Sequence, residues 1–110
     1  MLILLPPSET KRPGGGGPPL DVGRLALSGL ASHRNTVITA LSDLSADAER
    51  ATRVLKLGRS AERDLAANLA LRSAPTMPAI DRYTGVLFDA LGADELDPAA
   101  RTWLGDHVLI

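Results

Sequence analysis

The chain opens with Met1-Leu-Ile-Leu-Leu-Pro-Pro-Ser-Glu-Thr-Lys-Arg12, and a run of four glycines, Gly14 to Gly17, follows closely. The apolar run predicts a strand over residues 2–5 that is buried on both faces, because it contains no polar position. The prolines end this strand, and the hydroxyls and charges behind them would lie at the rim of a sheet, where functional groups are often displayed. This stretch therefore predicts a fold of the α/β class.

The rest of the chain predicts four to five helices and a second short strand. By apolar spacing and end signals the helices are Ser28 to about Leu44, Ala48 to Leu57 with Gly58 as its stop, Ser60 to about Arg72, Thr84 to Leu91 stopped by Gly92, and one beginning at Asp97-Pro98. Pro75 and Pro78 predict an extended loop between the third and fourth helices. The class is mixed α/β, predominantly helical.

The second strand is predicted at residues 107–110, and it can pair with the first. Two short apolar strands make a marginal sheet, so we expect their remaining partners in polypeptide beyond Ile110 or in another chain. Residues 6–23 are rich in Pro and Gly and form a loop that cannot be helical, either a mobile flap over a site or a flexible linker.

The composition limits the kinds of site available. The 110 residues have room for one domain, and the net charge of −1 indicates no general affinity for nucleic acid. Without cysteine there are no disulfides or thiolate sites. His33 and His107 have no second ligand at a useful spacing, so no metal site or cofactor is indicated. No signal or membrane-spanning segment is recognisable, and we expect a cytoplasmic protein without a membrane partner.

Two short motifs combine hydroxyls and cations. Ser8-Glu9-Thr10-Lys11-Arg12 follows the first strand and could hold a phosphate or carboxylate, or could be a polar turn. The glycine run is not a phosphate-binding loop, because no Gly-Lys-Ser/Thr follows it. Asp81-Arg82-Tyr83-Thr84-Gly85 precedes a helix. It could bind an anion, or Asp81 or Thr84 could merely cap that helix.

A third region, residues 49–72, is rich in basic side chains. It predicts two short helices joined through Gly58, and such a pair can offer cations to DNA phosphates without reading bases. The alternative is an ordinary solvated face, since Glu49, Glu62 and Asp64 lie among the cations.

Two blocks of the sequence resemble the YaaA-like peroxide-stress family. They are Leu4-Leu-Pro-Pro-Ser-Glu-Thr-Lys-Arg12, continued by Gly16-Gly-Pro-Pro-Leu-Asp21, and the stretch from Asn68 to Leu91 that contains Tyr83-Thr84-Gly85. The resemblance implies a mixed α/β protein with a basic cleft and a helix-hairpin-helix-like element. Family members are more than twice this length, so we expect residues 1–110 to be the N-terminal portion of a single domain.

The resemblance also implies a function: limiting iron-dependent damage under peroxide stress and binding double-stranded DNA. The expected phosphate contacts are Arg50, Arg53, Lys56, Arg59 and Arg63. The alternative is an enzyme of unknown reaction with a pocket for a phosphorylated or nucleotide-like ligand, built from Ser8, Thr10, Lys11, Arg82, Tyr83, Thr84 and Gly85. A third possibility is an inactive fragment.

Overall fold

The computed structural model describes every residue from Met1 to Ile110. In chain order its helices and strands are β1 (Ile3–Leu4), β2 (Gly17–Pro19), α1 (Ala31–Ser45), α2 (Ala48–Val54), α3 (Ala61–Leu69), β3 (Pro75–Thr76), α4 (Ala79–Arg82), α5 (Val86–Leu91), α6 (Pro98–His107) and β4 (Val108–Leu109). Short 3₁₀ turns lie at Val22–Arg24, Ser28–Leu30 and Ala93–Glu95. The mixed α/β, predominantly helical class is confirmed.

The chain forms two compact units. The first unit comprises Met1–Gly17 and Thr76–Ile110, and the second comprises Pro18–Pro75. The strands form two separate two-stranded sheets, β1 with β4 and β2 with β3. The predicted loop over residues 6–23 therefore contains a short strand and, at Val22–Arg24, one 3₁₀ turn, which Asp21 begins by accepting a hydrogen bond from the Gly23 N–H at 2.9 Å. The expectation that this loop cannot be helical is wrong at that turn.

The β1–β4 sheet of the first unit is parallel. Ile3 is paired with Val108 and Leu4 with Leu109, and the Leu5 N–H donates to the Leu109 carbonyl at 2.8 Å. The predicted pairing of the two strands is confirmed. The predicted burial is wrong: Leu4 is 73% exposed, because a sheet of two strands leaves this side chain with no layer packed over it.

The second unit is built from α1, α2 and α3. Ala51 on α2 is fully buried and Leu65 on α3 is buried, so small and branched aliphatic side chains fill the space between the helices. Ser45 is buried at the end of α1, where its Oγ accepts a hydrogen bond from Asn68 Nδ2 at 3.1 Å. This hydrogen bond satisfies the buried hydroxyl and links α1 to α3.

The end of α2 differs from the sequence prediction. The helix stops at Val54, and Lys56 (φ +52°) takes the left-handed position that we expected a glycine to occupy. The Leu57 N–H donates to the Thr52 carbonyl at 3.0 Å, which is the hydrogen bond of a Schellman turn. Gly58 is therefore not the stop of this helix. The helix ends at Val54 instead of Leu57, and its last carbonyls are hydrogen-bonded by a turn in which a lysine takes an unfavourable positive φ.

The signals at the other helix ends give mixed results. Gly92 (φ +54°) ends α5, and the Asp97 carboxylate accepts a hydrogen bond from the Ala100 N–H at 2.8 Å at the start of α6, both as predicted. The single turn α4 is not predicted, because Pro75 and Pro78 indicate an extended loop. Pro78 instead immediately precedes the helix, a position that needs no backbone N–H. No helix in the structure has the length and apolar character required to cross a membrane.

Candidate functional site

The two hydroxyl-rich motifs of the first unit lie side by side. Lys11 and Tyr83 form an antiparallel bridge, the Arg12 N–H donates to the Arg82 carbonyl at 2.8 Å, and the Thr84 N–H donates to the Thr10 carbonyl at 3.1 Å. We call residues 8–12 and 81–85 the loop joint. All seven candidate pocket residues belong to it, so the structure brings together every residue that the sequence selected from the two motifs.

Three hydroxyl groups form a closed hydrogen-bond network in the loop joint. Thr10 Oγ1 donates to the Thr84 carbonyl at 3.2 Å, and Thr84 Oγ1 donates to Thr10 Oγ1 at 2.9 Å. Ser8 Oγ accepts from the Thr10 N–H at 3.2 Å and lies 3.2 Å from Thr10 Oγ1. Because each hydroxyl carries a single proton and that of Thr10 is already used, Ser8 donates to Thr10. Thr10 is thus the central residue of the network.

Gly85 lies directly against this network. Its φ of +102° belongs to the region that side-chain-bearing residues rarely adopt. A Cβ atom at this position would lie 3.4 Å from Ser8 Oγ and 3.5 Å from Thr10 Oγ1. A glycine is required here mainly by the backbone conformation, which turns the chain from Thr84 into α5.

The Lys11 ammonium group is held by its own loop. Its Nζ donates to the carbonyls of Ser8 and Glu9 at 3.0 and 3.1 Å and lies 5.4 Å from the centre of the Tyr83 ring. The Tyr83 ring in turn packs against Phe88, with 5.3 Å between the ring centres. The cation–π contact and the two hydrogen bonds keep the lysine over the joint and leave one of its three N–H groups for another acceptor.

Two arginines complete the cationic side of the loop joint. Arg82 Nη1 donates to the Arg12 carbonyl at 2.7 Å, and the Arg12 guanidinium lies 3.8 Å from the Asp94 carboxylate. The exposed pair of Arg12 and Asp94 is long and contributes little to stability. Together with Lys11, these side chains place three cations at adjacent positions of two paired segments.

An ion pair formed by Asp81 of the loop joint was not predicted from the sequence. Arg101 on α6 binds Asp81 on α4 through two hydrogen bonds, of 2.9 and 2.7 Å, and also donates to the Ala93 carbonyl at 3.2 Å. The hydrogen bond to Asp81 holds the pKa of Arg101 above its ordinary value. The available signal was that Arg101 is the one base within the acidic stretch 89–106, which indicates a carboxylate partner.

Neither of the proposed caps is formed. Asp81 binds Arg101 and Thr84 binds Thr10, so their side chains are not available to the first turn of α5. Gly85 is the residue that precedes this helix, and its N–H donates a hydrogen bond to the Asp89 carboxylate at 3.3 Å. The interpretation of Asp81 or Thr84 as a cap for this helix is therefore wrong.

An open cavity of about 480 Å³ lies beside the loop joint. It is lined by Arg12 and by residues 88–92 and 94–96, and these include the acidic side chains of Asp89, Asp94 and Glu95. Arg12 is the one candidate-motif residue in this lining. The carboxylates would repel an anion, so the cavity is not where the cations of the joint would hold one.

The basic residues of the second unit lie on α2, α3 and the turn between them. Arg50, Arg53, Lys56, Arg59 and Arg63 are all exposed. Arg53 lies 3.8 Å from Glu49 and Arg63 lies 3.7 Å from Asp64, whereas Arg50, Lys56 and Arg59 form no ion pair. The predicted phosphate contacts thus lie on one segment of the surface, formed by α2, α3 and the turn between them.

Comparison with known proteins identifies the family. This chain is an α/β protein in which the two motif loops pair with each other. The family model described as "Peroxide stress protein YaaA" matches it over residues 1–110. The chain belongs to the YaaA peroxide stress protein family.

Its relatives include UPF0246 proteins of Corynebacterium efficiens (55% identical, covering 98% of this chain and 48% of the relative) and Streptomyces coelicolor (46% identical, covering 100% and 43%). The UPF0246 protein of Corynebacterium glutamicum is 46% identical over 91% of this chain and 40% of its own length. The chain spans about half the length of the curated relatives it matches. No solved structure shows significant similarity to it.

The conformation of Gly85 generates a prediction with a matched control. Gly85→Ala forces a side chain into a positive-φ position and should lower the free energy of unfolding by about 1–3 kcal/mol. Gly105→Ala lies within α6 with open space around it and should raise the free energy of unfolding by about 0.5–1 kcal/mol. Urea unfolding followed by circular dichroism measures both. Equal effects of the two substitutions would show that Gly85 is not constrained.

Proposed function

We propose that this chain is part of a peroxide-stress protein that binds duplex DNA through the sugar-phosphate backbone, with α2, α3 and their turn as the contact surface. The observation that carries this proposal is the exposure of five cations within residues 50–63, on two short helices of one compact unit and the turn between them. Phosphate contacts need exposed Lys and Arg side chains on a surface that can approach the duplex.

The electrostatics of this surface are compatible with such binding. The two ion pairs on it are long and exposed, so a phosphate can replace either carboxylate at little cost. Arg50, Lys56 and Arg59 have no ion partner to give up. The interspersed acids keep the net charge low, and they favour moderate, salt-sensitive affinity over tight binding.

Binding without base readout suits the stress role that the family description implies. Peroxide chemistry at adventitious iron damages DNA at many sequences, so a protective protein gains nothing from sequence preference. Backbone contacts would place this protein on DNA generally, and limiting iron-dependent damage is the proposed consequence.

The test is the salt dependence of DNA affinity after single charge reversals. We expect Arg59→Glu to weaken binding to a duplex of random sequence and to reduce the slope of log K against log salt by about 0.9, the value for one lost phosphate contact. Arg24→Glu changes the net charge equally but lies outside residues 50–63, and it is the control. Fluorescence anisotropy at several salt concentrations measures both slopes. Equal slopes for the two variants would overturn the assignment of this surface.

A second candidate function is favoured by the loop joint itself. Arg12 and Arg82 lie opposite each other on the paired segments, with Lys11 next to Arg12, and like charges directly opposite each other repel. An anion bound among them would remove that repulsion. We propose a phosphate or phosphorylated ligand at this place, held by the cations while the hydroxyl network fixes the loops.

Thermal melting distinguishes this second candidate from the first. Inorganic phosphate or a nucleoside triphosphate should raise Tm relative to chloride at equal ionic strength, because a ligand of the native state stabilises it by mass action. Lys11→Gln should abolish the rise and Arg24→Gln should preserve it. If phosphate, nucleotide and chloride give the same Tm at equal ionic strength, the loop joint is a structural contact and not a ligand site.

A further inference from the structure

The β1–β4 sheet has one edge with unused backbone groups. Leu109 exchanges hydrogen bonds with the residues on either side of Leu4, including the 2.8 Å bond from the Leu5 N–H. In a parallel ladder successive peptide groups face opposite sides, so the Leu4 N–H and carbonyl face away from β4. On β4, the Val108 N–H donates to the Leu104 carbonyl at the end of α6. The outer edge of β1 is therefore the more open of the two.

One face of β1 is also uncovered. Leu2 and Leu4 lie on the same face of the strand, since side chains alternate, and they are 58% and 73% exposed. Ile3 and Leu5, on the other face, are partly buried. Parallel strands are normally covered on both faces and belong to sheets of more than two strands. An apolar face and an unpaired edge thus coincide at Leu4.

The relatives show which polypeptide is available to cover this place. The chain matches 48%, 40% and 43% of the length of three relatives, so each relative has at least as much polypeptide again outside the matched region. This amount is sufficient for further strands and a covering helix layer.

We infer that β1 is an internal strand of a larger sheet, and that the segment corresponding to the unmatched half of the relatives adds a strand to its Leu4 edge and covers the Leu2–Leu4 face. The occupant is polypeptide of the same protein and not a nucleic acid or a second copy. This inference does not depend on the proposed DNA surface, which lies on the second unit.

The test compares the 110-residue chain with a chimera in which this chain replaces the matched region of the Corynebacterium efficiens relative. Residue-resolved amide hydrogen exchange is measured in both. We expect the Leu4 amide to exchange at least about a hundredfold more slowly in the chimera, because it gains a hydrogen-bond acceptor. The Leu5 amide, already bonded to Leu109, should be protected in both proteins and serves as the internal control.

A substitution adds an independent readout. Leu4→Lys should change the Tm of the 110-residue chain by no more than about 2 °C, since the side chain is exposed, and should lower that of the chimera by roughly 5–10 °C. Ala40→Lys, at an exposed position in the middle of α1, should be silent in both. An equally fast Leu4 amide in the two proteins, or a chimera that unfolds no more cooperatively than the shorter chain, would overturn the inference. Protection of Leu4 that rises with the concentration of the 110-residue chain alone would assign the edge to a second copy and also overturn it.

Discussion

The hydrogen bonds between Thr10 and Thr84 are the contact on which the first unit depends. They join segments 74 positions apart in sequence through two side-chain hydrogen bonds and one backbone hydrogen bond. These hydrogen bonds set the register of the two segments, so that Lys11 is paired with Tyr83 and Arg12 with Arg82. The threonine hydrogen bonds thus stabilise a pairing that brings Lys11, Arg12 and Arg82 close together despite their like charges.

Two further constraints hold this contact in place. The positive φ of Gly85 turns the chain away immediately after Thr84, so that α5 begins without displacing the hydroxyls. The ion pair of Asp81 with Arg101 holds α4, the single turn that precedes Tyr83, and both side chains are about 30% exposed. Hydrogen bonding to Asp81 holds the pKa of Arg101 above its ordinary value, so the ion pair further favours the charged guanidinium. The loop joint is therefore supported from both ends of the second motif.

Local signals in the sequence predicted most elements, and contacts between distant residues account for what it missed. The Asp97-Pro98 start and the Gly92 stop depend on a few adjacent residues, and both are confirmed. Both motifs could also be selected from their residue types. The hydrogen bonds between the motifs could not be predicted, because nothing in the sequence around Thr10 indicates that Thr84 is its partner. The exposure of Leu4 was predicted wrongly. An apolar run indicates that burial would be favourable, but it does not show whether another layer packs over the strand.

We infer that the two motifs are coupled through their threonines. A double-mutant cycle of Thr10→Val and Thr84→Val, measured as free energies of unfolding in urea, tests it directly. We predict a coupling energy of about 0.5–1.5 kcal/mol, because either substitution alone already removes the hydroxyl contact they share. Effects that add to within about 0.3 kcal/mol would contradict this account and would show that the motifs lie side by side without stabilising each other.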